Sequence, residues 1–265
     1  MDPTPYSRLL AGAAVGDGVA NLDVPDDWLQ GRTLFGGLQA AIALAAMRTV
    51  APPAPLRTLQ ATFLSPVPGG PVHAKARVLR SGKNATHVEG RIVGGQDETL
   101  ALVVGVFGAA RESAVRLLPR QPAVAESPGA FDFTFRAGVV PNFTQHFRER
   151  WLVGGAPYTG ATNPGNVIAL GMRDSGNATE AHVVAMADFI PPIALSYLKE
   201  RSVAASLTWM LELLADDVSA LPLDGWRIDA RMEAAGGGYS TQSLVLWGPG
   251  GVPVALGRQS MVVFG

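Results

Sequence analysis

The sequence predicts an α+β protein in which one structural unit, an apolar helix followed by long antiparallel strands, is used twice. Two observations carry this reading. The run RTLFGGLQAAIALAAMRTV (32–50) has helical spacing and almost no polar surface, and strand-like segments separated by glycine turns follow it. The same order of elements returns after residue 178, and the halves close alike, on VVGVFG (103–108) and MVVFG (261–265). Two copies make a duplicated domain rather than a solenoid. Helices this apolar must be buried. The simple arrangement wraps each sheet around its own helix and joins the sheets edge to edge, which also removes two open strand edges.

Residues 1–17 are mixed and uninformative, and GVANLDV (18–24) alternates weakly enough to be a first strand. In the first helix Leu38, Ile42, Ala45 and Ala46 recur at helical spacing, Gly36-Gly37 opens it and Pro52-Pro53 stops it. Strands are expected at 56–67, 71–82, 85–95 and 99–108. In the second of these Val72, Ala74, Ala76 and Val78 oppose His73, Lys75 and Arg77. Gly69-Gly70 and Gly94-Gly95 sit where hairpins need them. The stretch 111–130 has three prolines and no sustained period, and reads as a linker between an N-terminal unit (1–110) and a C-terminal unit (131–265). Strands FDFTFRAG (131–138), NFTQHFRERWL (142–152) and NVIALGMRD (166–174) should open the second unit. A helix over 178–190, broken by Pro191-Pro192 and resumed through IALSYLKE (193–200), comes next. Strands at 203–214, 226–235, 239–248 and 252–265 complete it.

Composition excludes several chemistries. With 48% hydrophobic and 16% charged residues the chain has material for a sizeable core. A net charge of −1 offers no electrostatic case for nucleic acid or an anionic membrane. There is no cysteine, hence no disulfide, thiolate metal site or cysteine nucleophile. His73, His87, His146 and His182 have no metal-ligand spacing, so no metal is expected. MDPTPYSRLL lacks the basic and apolar regions of a signal peptide, so a cytoplasmic protein is the expectation.

An apolar helix wrapped by an antiparallel sheet is the hotdog fold, and two in one chain make a double hotdog. RTLFGGLQAAIALAAM, followed by LRTLQATFLSPVPGGPVHAKARVLRSGKNATHVEGRIV, resembles the first half of type II acyl-CoA thioesterases and their thioesterase-like relatives. AMADFIPP, the strand beginning at Trp226 and LGRQSMVV resemble their second half. The resemblance implies hydrolysis of acyl-CoA thioesters, with no cofactor beyond the coenzyme A of the substrate, in a homo-oligomer, dimeric or larger. The same fold also admits a non-catalytic acyl-CoA-binding protein, or a hydratase or dehydratase.

In that family an Asp, a Thr and a Gln of the second hotdog position the attacking water. The Gln falls on Gln259. The Asp position holds Ser206, and the Thr position holds Glu233 or Ala234. The missing carboxylate has two substitutes. Asp188 lies just before Pro191-Pro192 and either serves as the base or caps a turn starting at Phe189. Glu233 either serves as the base or sits on a solvated face with Arg227 and Arg231. Ser206 and Thr208 could bind water but not deprotonate it unaided. The helix start at Gly36-Gly37 either offers free N–H groups to a developing oxyanion or merely permits tight helix packing.

Overall fold

A computed structural model of the chain describes residues 3–264. It opens with α1 (Tyr6–Ala11), β1 (Ala14–Gly16), β2 (Val19–Val24), a small ribbon of β3 (Leu29–Gln30) and β4 (Thr33–Leu34), and α2 (Gly36–Arg48). A meander follows, formed by β5 (Leu56–Phe63), β6 (Gly70–Ser81), β7 (Thr86–Val93) and β8 (Thr99–Phe107). The second half contains β9 (Phe131–Asp132), β10 (Phe147–Val153), β11 (Gly165–Met172), α3 (Glu180–Ala187) and α4 (Ala194–Tyr197). It ends in a second meander, β12 (Val203–Leu213), β13 (Trp226–Gly236), β14 (Tyr239–Gly248) and β15 (Val252–Phe264).

The strands form one antiparallel sheet in the order β1-β2-β6-β7-β8-β5-β12-β15-β14-β13-β11-β10-β9. The halves meet where β5 pairs β12, from Thr62 opposite Thr208 to Thr58 opposite Glu212. That is the edge-to-edge joint expected of a double hotdog. Inside the curl, α2 is buried on nearly every side: Leu38, Ile42, Leu44 and Met47 are all at most 2% exposed. Burying each such side chain contributes roughly 1.5–3 kcal/mol, so packing and not intrinsic propensity holds this helix.

The two helices lie side by side in opposite directions. The start of α2 faces the end of α3, where a Cβ at Gly37 would come within 3.0 Å of the Ala185 Cα. At the other end Arg48 pairs with Glu180, Nε to Oε1 at 2.9 Å, with its guanidinium over the Phe107 ring. An aromatic cluster fixes the first of these corners. Phe35 stacks on Phe143 at 4.1 Å, and Phe147 packs on Phe189 at 4.8 Å and edge-on to Phe35. Among the described residues no helix is long and apolar enough to cross a membrane.

Three expectations need correction, and one stretch that carried no reading has structure. Residues 1–17 hold a helix whose Tyr6 is buried between Trp28 and His182, with its hydroxyl donating to the Ala181 carbonyl at 2.9 Å. The expected strand 131–138 shrinks to Phe131–Asp132, which forms the far edge of the sheet and pairs only with β10. NFTQH forms a 3-10 turn before β10, with the Gln145 side chain bound to the backbone of Asp27 and Asn142. The helix expected to resume through 193–200 spans only Ala194–Tyr197.

Candidate active site

The best-furnished cavity, about 300 Å³, opens at the junction of the halves. The first half gives it Gly36, Gln39 and Phe63, and the second gives Asp188, Ser206 and Gln259. Each group is placed by its element. Asp188 ends α3, with φ −94° and ψ 0°, where the chain turns toward Pro191-Pro192. Gln259 lies on the inward face of β15 between the buried Gly257 and Met261. Gly36 is the first residue of α2, so its N–H has no acceptor within the helix.

The Asp188 carboxyl is held from two sides. Gln259 Nε2 donates to Oδ1 at 2.5 Å, and the Gly37 amide approaches from α2. The other oxygen, Oδ2, lies against Gly36, only 2.6 Å from where a Cβ would stand. A side chain at residue 36 would therefore displace the carboxylate, which explains the first glycine; the Phe35 ring and the backbone of α3 at Ala185 crowd the second. Gln259 is in turn held by Gln242, whose Nε2 donates to Gln259 Oε1 at 3.0 Å and whose Oε1 accepts the Ile193 N–H at 2.9 Å. The relay is closed and fixes each amide orientation. Burial pushes the Asp188 carboxyl up to about 7, with the Gly37 amide and the Gln259 side chain opposing part of that rise. A carboxyl poised near neutrality can exchange a proton with water or a leaving group at physiological pH. Asp188 therefore does not cap the turn at Phe189; its oxygens face Gly36, Gly37 and Gln259.

Sequence comparison decides the family. The acyl-CoA thioesterase N-terminal domain profile matches residues 24–108, and the C-terminal domain profile matches residues 118–263. The chain belongs to the acyl-CoA thioesterase family. It is a thioester hydrolase. No curated protein sequence matches it. A hot dog fold protein of unknown function from Alicyclobacillus acidocaldarius superposes with a TM-score of 0.86 at 19% identity, over 99% of both chains. A provisionally assigned thioesterase II from Thermobifida fusca YX gives 0.81 at 19% identity over 100% of both. The acyl-CoA thioesterase II TesB2 of Mycobacterium marinum gives 0.70 at 16% identity over 93% of both. At these identities the likeness establishes the double hotdog fold.

The other candidate residues of this thioesterase fall in different places. Ser206 lines the cavity. Thr208 would share its face if β12 alternated regularly, but the register slips between Ser206 and Thr208. That bulge turns Thr208 to the outer face beside Gln60 and Arg258, and gives the inward place to Trp209, opposite Gln259. Glu233 sits at a register shift of β13 between Met232 and Ala234, exposed, and accepts the Ser243 hydroxyl. His182 is engaged by Thr179 and Asp174, away from the cavity. Two residues of the site were not anticipated. Gln242 was within reach of counting: stepping back equally from Gly250-Gly251 brings it opposite Gln259. Gln39 is buried in α2 with Nε2 donating to the Leu34 carbonyl at 2.7 Å, and a lone polar residue in an apolar helix gives no sequence signal of that place.

Proposed function

We propose that this thioesterase hydrolyses acyl-CoA thioesters to free acid and coenzyme A by direct attack of water, with Asp188 as general base. The observation that carries this is the Asp188–Gln259 pair: a buried carboxyl with its pKa near 7, locked in orientation beside the open start of α2. Ionised Asp188 takes a proton from a water through Oδ2 as the oxygen attacks the thioester carbon. The carbonyl oxygen becomes an oxyanion and is met by the Gly36 N–H and the positive end of α2. When the C–S bond breaks, Asp188 returns its proton to the departing thiolate. Gln259 keeps Oδ1 occupied so that Oδ2 faces the water. Ser206, which lines the same cavity, hydrogen-bonds water or substrate without taking its proton. The scheme requires no cofactor beyond the coenzyme A that arrives in the substrate.

The test is thiol release from a panel of acyl-CoAs of varied chain length. Asp188→Asn should lower kcat by about 10²–10⁴-fold, the usual contribution of a positioned base. In the wild type kcat/KM should fall as pH drops through about 7, because protonation removes the base. An Asp188→Asn enzyme with the wild-type rate would remove Asp188 from the mechanism. Binding without turnover of any acyl-CoA by the wild type would remove the hydrolytic reading.

A further inference from the structure

A second concavity of about 740 Å³ lies next to the catalytic cavity. The two adjoin along the chain: Gln30 lines the cavity and Gly31 the groove, Ala204 the cavity and Val203 the groove. Val203 and Ser206 are three residues apart on one strand, about 10 Å at the usual rise. At about 300 Å³ the cavity beside Asp188 has room for a thioester and an acyl group, but the much bulkier carrier must lie outside it.

The groove has the chemistry for the anionic end of that carrier. Among the described residues its lining includes no side-chain carboxylate, and its one charged side chain is Arg201. The Nη2 of Arg201 donates to the Val139 carbonyl at 3.0 Å, which steadies the guanidinium and leaves its other N–H groups for a ligand. By contrast Arg48, Arg57, Arg77, Arg148, Arg150 and Arg227 each face a carboxylate. A planar guanidinium fork matches phosphate oxygens. Tyr158 and Phe264 add aromatic surface. Tyr158 is rigidly set in the left-handed region at φ 68°, with its hydroxyl donating to the Ser202 carbonyl at 2.7 Å and its N–H to the Leu195 carbonyl at 2.8 Å. The groove on the outer face of the sheet is a poorer match, because Glu212 and Asp229 accompany Arg231 and Arg258 there.

We infer that this groove binds the phosphate-bearing nucleotide end of coenzyme A, with Arg201 as its anion contact, while the acyl thioester extends past the adjoining wall to Asp188. The inference rests on the acyl-CoA reading of the site. Two thioesters of the same acyl group separate the two ideas: the acyl-CoA, and the acyl-N-acetylcysteamine, which keeps the thioester but lacks the phosphates.

In Arg201→Ala the ratio of kcat/KM for acyl-CoA to that for the truncated thioester should fall about tenfold, the usual effect of losing one charge-assisted contact. The fall should appear in KM, and calorimetry should show weakened binding of coenzyme A itself. In the wild type, rising ionic strength should raise KM for the acyl-CoA more than for the truncated thioester. An unchanged ratio, together with unchanged coenzyme A affinity, would overturn the assignment. A wild type that cleaves the truncated thioester but not acyl-CoA would also overturn it. A wild type that cleaves neither would instead overturn the thioesterase mechanism, and the inference with it.

Discussion

Replacing the proposed base should make this protein more stable, and by an amount that depends on pH. In the unfolded chain Asp188 ionises near its ordinary value of 3.8, whereas in the folded protein burial raises it to about 7. The folded state therefore binds the extra proton between these values, and stability is lost as pH rises through that window. At pH 8 the accumulated cost is about 4 kcal/mol, and at pH 5 about 2 kcal/mol. Asp188→Asn removes that cost. Its Oδ1 still accepts from Gln259, but its new NH₂ turns a donor toward the Gly37 amide, and one lost buried hydrogen bond costs about 2 kcal/mol. The balance is near zero at pH 5 and about 2 kcal/mol in favour of the variant at pH 8. For a chain of this size that raises Tm by roughly 4–8 °C. Scanning calorimetry of both proteins at both pH values measures it. A Tm difference that is the same at pH 5 and pH 8 would refute the claim that Asp188 titrates differently when buried.

The remaining predictions concern the groups around this one. Gln259→Ala should lower kcat at least tenfold, about 1.4 kcal/mol of barrier, since Oδ1 loses its partner; unchanged steady-state kinetics would take Gln259 out of the site. Glu149 is buried with its carboxyl pushed up to about 8, one oxygen bound by Trp151 Nε1 at 3.0 Å and the other unpartnered. Wild-type stability should therefore decline as pH rises toward 8 on this account too. Glu149→Gln should flatten the decline in urea midpoints measured from pH 6 to 9, and parallel curves would count against it. Tyr6→Ala should cost about 3 kcal/mol or more in urea unfolding, although the residue is far from the cavity, because it empties a fully buried site between the halves. A loss below about 0.5 kcal/mol, the level of ordinary surface changes, would mean that α1 is not part of the cooperative unit.

The fold was legible because its helices and long strands repeat an apolar pattern over many residues. Leu38 to Met47 is buried almost continuously, and the alternation at Val72, Ala74 and Ala76 against His73 and Lys75 survives in β6. Short elements gave no such period. In α1, six residues long, only Tyr6 and Leu9 are buried, and what holds it is distant in sequence, such as Ser7 against Asp174. The candidate site was legible in part for the same reason. Gly36-Gly37 and Gln259 lie on regular elements and could be located by counting. Weighing Asp188 against Glu233 required knowing which carboxylate is buried, and that depends on the antiparallel packing of α2 on α3. Thr208 depended on one bulge, which reverses the inward and outward alternation of β12 after Ser206.

The ion pair between Arg48 and Glu180 bears on stoichiometry. A duplicated chain with antiparallel helices has an internal pseudo-twofold relation, so the corner where the start of α2 meets the end of α3 has a counterpart where the start of α3 meets the end of α2. At that counterpart Thr179 and His182 cap the α3 start through a reciprocal pair of bonds, and Arg48 fills the space between Glu180 and Phe107. On the proposed mechanism one corner is left open for chemistry and its twin closed for stability. Two identical single-hotdog subunits could not divide the roles in this way, because any change would appear at both corners. Each chain should accordingly titrate with a single equivalent of a tight-binding, non-hydrolysable acyl-CoA analogue.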